Sequence, residues 1–336
     1  MSTRTLSSPP RMLPLYARTV APLLPGATLL PLLGGRGGEL PDLQLTLPGV
    51  HVDPAHLAAY AHVCGFSLRD ALPATYPHVL AFPLHLALMS DRDFPFAAVG
   101  LVHIANRIVQ HRPIQLGETL QLRVGTSALQ SHPRGRTFAL LTEVRVDEEL
   151  VWEDHSTMLR RGGERAHSEG AGGAGEGAGE EGAGEGEKGE GADTEGTREE
   201  QPQTPPQSAL WRLPGDLGRR YAAVAGDRNP IHLYPLTAKL FGFPRAIAHG
   251  MWTKAHCLAA LEQQLPDRFA VEVGFRRPIL LPSKVAFGSL QQGGAIRFAV
   301  TRQAAAGEDE TRHLDGRIEP LDGAPPIIRE ERQSTR

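Results

Sequence analysis

Between residue 162 and about residue 206 this chain has nothing with which to build a packed core. The run GEGAGEEGAGEGEKGEG offers no large apolar side chain, and its like charges repel one another. It reads as an extended, disordered linker, so folding has to happen on either side of it, at 46–161 and 207–322. The two sides repeat. Tyr60 followed by the turn Cys64-Gly65 matches Tyr221 followed by Ala225-Gly226. His111-Arg112-Pro113-Ile114 matches Arg276-Arg277-Pro278-Ile279, and the offsets are 161 and 165. One unit, present twice, is the expectation.

The linker also distorts the charge balance. The formal net charge is −3, but residues 162–200 alone carry −9, which leaves the remainder near +6. A mildly basic surface suits a ligand bearing phosphates. No Lys/Arg stripe with interleaved aromatics is present, which argues against nucleic acid as a partner. The apolar run from Leu13 to Leu33 is broken by Arg18 and by Pro14, Pro22, Pro25 and Pro31, so no membrane span is expected. Two cysteines, Cys64 and Cys257, make neither a disulfide framework nor a metal cluster, and fit the reducing cytoplasm. Residues 1–45, rich in Pro and Gly, read as an irregular segment, and 323–336 as a disordered tail. The Arg-containing, acid-free first 38 residues also fit a transit peptide, the less favoured alternative.

In the first half, Asp53-Pro54 starts a helix through Val63, closed by Gly65. YPHVLAFPLHLALM, residues 76–89, is a buried helix candidate, and strand patterns follow at 100–109, 120–124, 138–146 and 151–159. Helix followed by strands points to α+β with a largely antiparallel sheet.

The chemistry concentrates in Tyr221–Leu261. Gly226-Asp227 is a turn, and Asn229-Pro230 keeps the chain out of helix, so Asp227 and His232 are expected on an irregular segment. A short helix is expected from Pro235 to about Gly242. A longer one carries Ile247, Met251, Ala255, Leu258, Leu261 and Leu265 on its apolar face, with His249-Gly250 in its first turn. Backbone N–H groups there lack helical partners and favour negative charge.

Tyr221, Val224, Gly226, Asp227, Asn229, Pro230, Ile231, His232 and Ala238, with His249-Gly250 downstream, resemble the motif of the MaoC-like dehydratases, the R-specific enoyl-CoA hydratase (hydratase 2) family. Ala225 departs from it, standing where Ser, Thr, Gly or Cys is usual. The resemblance implies a hot-dog fold, one helix wrapped by an antiparallel sheet, and hence a double hot dog whose first copy lacks the motif. It implies a lyase of fatty-acid metabolism that hydrates enoyl thioesters or dehydrates R-3-hydroxyacyl thioesters. CoA or acyl-carrier-protein thioesters would be substrates, with no further cofactor and no metal, in a monomeric double hot dog or a homodimer. That reaction needs a water deprotonated as it attacks C3, a proton at C2, and a donor for the thioester oxygen. Asp227 is the candidate base, His232 the group that binds the water and relays its proton, and the Gly250 N–H the oxyanion donor. Asn229 and His249 would position the loop, and Tyr221 would hold it. Arg276 and Arg277 are candidates for CoA phosphates on charge alone, against a reading as solvated strand ends. The scattered histidines show no metal-ligand spacing, and no G-x-S-x-G elbow occurs. Two rival functions are a hot-dog thioesterase and a non-catalytic acyl-thioester binding module.

Overall fold

A computed structural model describes residues 2–20, 38–98, 100–161, 204–302 and 311–321. The tail expected at 323–336 and nearly all of the expected linker lie outside the described residues. In the first half, β2 (Leu43–Val50) precedes α2 (Pro54–Cys64) and α3 (Tyr76–Met89). Asp53 caps α2 by accepting the Ala55 N–H at 2.9 Å, and Gly65 ends it in the left-handed region at φ 88°, which glycine adopts without strain. Five strands follow: β3 (Leu101–Gln110), β4 (Leu120–Thr126), β5 (Gln130–His132), β6 (Gly135–Val146) and β7 (Glu149–Arg161). Their alternation sets the faces. On β4, Leu120, Leu122 and Val124 are buried, while Gln121 and Arg123 are less so. That apolar face packs against α3, which also meets β2 and β6.

The second half repeats the plan. It runs β8 (Gln207–Leu213), α4 (Leu217–Ala225), α5 (Pro230–Leu233), α6 (Pro235–Leu240), α7 (Gly250–Ala260), β9 (Phe269–Phe275), β10 (Ser283–Gln292), β11 (Ala295–Arg302) and β12 (Arg312–Pro320). With an N-terminal strand β1 (Ser2–Thr5), all strands but β5, which pairs with β6, join one sheet in the order β1-β2-β4-β6-β7-β3-β9-β12-β11-β10-β8. Leaving out the added edge strand β1, the order reads the same from both ends. β3 and β9 meet antiparallel at the centre, Ile108 opposite Val271. Equivalent loop bonds confirm the repeat: Leu72 N–H to Ile114 O at 2.8 Å matches Ala248 N–H to Ile279 O at 2.9 Å. The halves share one core and belong to one compact unit. The fold is α+β, a double hot dog.

Two expectations need correcting. Residues 1–45 are not wholly irregular: β1 (Ser2–Thr5) pairs parallel with β2, and α1 (Met12–Val20) packs on α3. Pro14 is compatible with α1 because it falls in the first turn, where its missing N–H removes no helical bond. The linker also ends before 206, since Pro205 and Pro206 lie against β10. A Cβ on Gly288 would stand 2.6 Å from either carbonyl oxygen.

A polar network stitches the halves beneath the sheet. Asp154 is fully buried on β7 and accepts bonds from His78 Nδ1 at 2.6 Å, from the Asn106 amide and from the Ser156 hydroxyl at 3.2 Å. On the other side, the fully buried Lys254 of α7 donates to Asn106 Oδ1 and, at 3.2 Å, to Val271 O. Burial alone would raise the Asp154 pKa, yet its neighbours, His78 foremost with His85 and then Lys254 adding less, outweigh it and hold it at about 2. Burial pulls Lys254 down to about 7 against the attraction of Asp154 and Glu272.

Burial also pushes the His85 and His103 pKa values down to about 3, with His78 adding repulsion. Both rings are therefore neutral in the fold, and the unfolded chain binds more protons between pH 6.5 and 3. Stability should accordingly be lost as pH falls below 6.5, by about 1 kcal/mol per pH unit for each ring. Urea melts at pH 7 and pH 5 check this, and equal stability at the two would contradict it. Cys64 and Cys257 are free and buried, and burial pushes the Cys64 thiol up to about 12, which leaves it unreactive.

Candidate active site

The site occupies the stretch where the halves differ most. In the first half Gly65 leads directly to the loop bond at Leu72. In the second, α5 and α6 are inserted between the equivalent Gly226 and Ala248. Gly226 closes α4 at φ 75° in the left-handed region, and this turns the chain outward at Asp227. The Asn229 N–H donates to Asp227 Oδ1 at 3.1 Å, and Asn229 Oδ1 accepts the Ile231 N–H at 3.4 Å, so Asn229 both steadies the carboxylate and caps α5. His232 follows on that single helical turn rather than on irregular chain as expected, because Pro230 takes the first helical position.

The His232 ring is buried, and its Nδ1 lies 2.8 Å from Ile247 O. A carbonyl only accepts, so Nδ1 carries the hydrogen and Nε2 of the neutral ring presents a lone pair. Burial lowers the His232 pKa, partly countered by Asp227, which keeps the ring neutral. Ile247 was expected on the apolar face of the long helix. It lies before the helix instead, and α7 runs only from Gly250 to Ala260.

His249 is the N-cap residue of α7. Its Nε2 donates to Asp227 O at 3.0 Å and stands 3.8 Å from Asp227 Oδ2. Its ring lies 3.7 Å from His232, centroid to centroid, and 4.9 Å from Tyr221. Burial and then the neighbouring His232 push its pKa down to about 3, so it too is neutral. Tyr221 is buried and backs this stack, where burial and nearby negative groups raise its pKa well above the ordinary value. One carboxylate oxygen of Asp227 and one nitrogen from each of His232 and His249 lie within 4.8 Å of one another. Two groups at that spacing can both reach one water at about 2.8 Å. The same three groups form a donor set a divalent metal could use, which the sequence spacing did not reveal. His232 Nδ1 and His249 Nε2 donate to backbone carbonyls, so the other nitrogen of each ring keeps a lone pair that could accept from a water or ligate a metal.

Gly250 opens α7, and a Cβ there would meet the Phe275 ring at 3.0 Å. Its N–H belongs to the first turn, which has no helical acceptor. Arg276 lies just beyond β9, with its guanidinium bonded to both oxygens of Asp315 at 2.8 Å. That pairing favours the strand-end reading over a phosphate ligand; Arg277 beside it is exposed.

Sequence reasoning passed over Gly218 on α4. A Cβ there would fall 1.9 Å from His232 O, so α5 can pack only against a bare backbone. Gly218→Ala should push His232 off its Ile247 bond and lower kcat by about a hundredfold, the scale for a misplacement near 1 Å. Steady-state kinetics check this, and unchanged kcat would contradict it. Glycine on the buried face of an otherwise unbroken helix was the available signal.

The model for the family described as MaoC like domain matches residues 195–311, which contain Tyr221, Asp227, Asn229, His232, His249 and Gly250. The 3-hydroxyacyl-thioester dehydratase X of Mycobacterium tuberculosis is 38% identical over 248 residues, 74% of this chain and 80% of that protein. The chain belongs to the MaoC-like dehydratase family. The crystal structure of HtdX of Mycobacterium tuberculosis, 33% identical, aligns with a TM-score of 0.66 over 83% of this chain and 100% of that one. The (R)-specific enoyl-CoA hydratase of Aeromonas caviae is 35% identical over 69 residues, 19% of this chain and 52% of its own length. This MaoC-like dehydratase is thus an enzyme, a lyase. No helix among its described residues is long and apolar enough to cross a membrane.

Proposed function

We propose that this enzyme interconverts 2-enoyl and R-3-hydroxyacyl thioesters by adding or removing water, with Asp227, His232 and the Gly250 N–H as its working groups. The observation that carries this is the cluster of one carboxylate and two neutral imidazoles within 4.8 Å, next to the start of α7. His232 Nε2 and Asp227 each accept one hydrogen of the bound water, so its lone pair faces C3. As oxygen attacks C3, Asp227 takes a proton, and negative charge builds on the thioester oxygen, where the Gly250 N–H stabilises it. The proton then returns through the Asp227–His232 pair to C2, and both side chains end as they began. The substrate undergoes no net oxidation or reduction, so the step requires no redox cofactor. Tyr221, Asn229 and His249 hold the geometry. Similarity to a 3-hydroxyacyl-thioester dehydratase and to an (R)-specific enoyl-CoA hydratase supports the thioester substrate and the R configuration.

Crotonyl-CoA and longer enoyl-CoAs should lose their enoyl absorbance on mixing with the enzyme, giving R-3-hydroxyacyl-CoA without release of thiol. Thiol release without hydration would identify a thioesterase. Binding without turnover would identify a binding module.

A further inference from the structure

Asp227 is held from one side by Asn229, and from the other by Tyr16, which lies 210 residues before Gly226. The Tyr16 hydroxyl on α1 donates to Gly226 O at 2.6 Å and accepts the Arg228 N–H at 2.7 Å. It thus bonds both peptide groups that flank Asp227. The α1 helix is anchored independently of this contact. It packs on α3, and Met12 and Phe82 each come within 3.6 Å of the Cβ position at Gly226. Upstream, β1 is hydrogen-bonded along β2, and Arg4 reaches Asp91 at 3.6 Å.

The clamp adds to the bond that His249 makes to Asp227 O at 3.0 Å. Gly226 is in the left-handed region and residues 226–229 have few backbone bonds of their own, so Tyr16 fixes the peptide orientation on either side of Asp227. Burial and then the charge of Asp227 raise the Tyr16 pKa, so the hydroxyl stays protonated and can donate and accept together.

We propose that Tyr16 is a positioning residue for catalysis: the N-terminal arm clamps the Gly226–Arg228 backbone and thereby aims the Asp227 carboxylate at the bound water. This rests on the role proposed above for Asp227. Tyr16→Phe keeps the ring and removes only the clamp. With enoyl-CoA as substrate, kcat should fall between about tenfold and a hundredfold with KM kept within twofold, since aim is lost and binding is not. In a double-mutant cycle with Asp227→Asn, the Tyr16→Phe effect should vanish, because nothing is left to aim. An unchanged kcat, a higher KM at constant kcat, or an equal loss in the Asp227→Asn background would each overturn the proposal. Asp227→Asn alone tests the underlying role: full activity there would sink that role, whereas an inert Tyr16→Phe beside a crippled Asp227→Asn would sink only the clamp.

Discussion

Asp227→Asn should lower kcat/KM by about a thousandfold, within the range removed with a general base, while the thermal midpoint hardly moves. The amide is nearly isosteric with the carboxylate, and its oxygen can still accept the Asn229 N–H that now reaches Oδ1 at 3.1 Å. What it cannot do is take a proton from water. His232 and His249 remain neutral and stacked, so substrate should still bind with KM little changed. Progress curves at saturating and limiting enoyl-CoA separate the two parameters. A variant with more than a tenth of wild-type kcat would show that Asp227 only shapes the turn.

Lys254→Ala should have the largest effect on stability. Its amine is fully buried with a pKa lowered to about 7, so at pH 6 it is an ammonium and the counter-charge that Asp154 meets through Asn106. Removing it takes a donor from Asn106 Oδ1 and leaves the Asp154 charge under-compensated, at a cost of about 3–5 kcal/mol. The bonded groups span β3, β7, β9, α3 and α7, so the loss should weaken the join between the halves and not one element alone. Urea unfolding at pH 6 measures it. A change under 1 kcal/mol would mean that the network is dispensable.

Much of the fold could be read from residue patterns. The repeat was visible because matching turns close α2 and α4 and the Arg-Pro-Ile corner follows each central strand, and a duplicated hot dog then follows from the family resemblance. What was not visible depends on distant partners. β8, β10 and β12 alternate weakly, and α1 lies in a Pro-rich stretch that becomes a helix because α3 offers a surface. Lys254 looks like a solvated charge until four elements close around it.

The cluster was legible in its fixed spacing: Asp227, Asn229, His232 and His249 do converge. Sequence spacing could not show that Ile247 sets the His232 tautomer or that Asp315 occupies Arg276. Gly218 and Tyr16 were missed for a related reason. Their roles are contacts with backbone atoms, which leave no pattern of their own.

The most direct test is a crystal structure of the Asp227→Asn variant soaked with an enoyl-CoA. The thioester oxygen should lie within hydrogen-bond distance of the Gly250 N–H, with C3 facing a water held between residue 227 and His232 Nε2. A thioester bound away from α7, or a C3 that no water held by His232 can reach, would contradict the account.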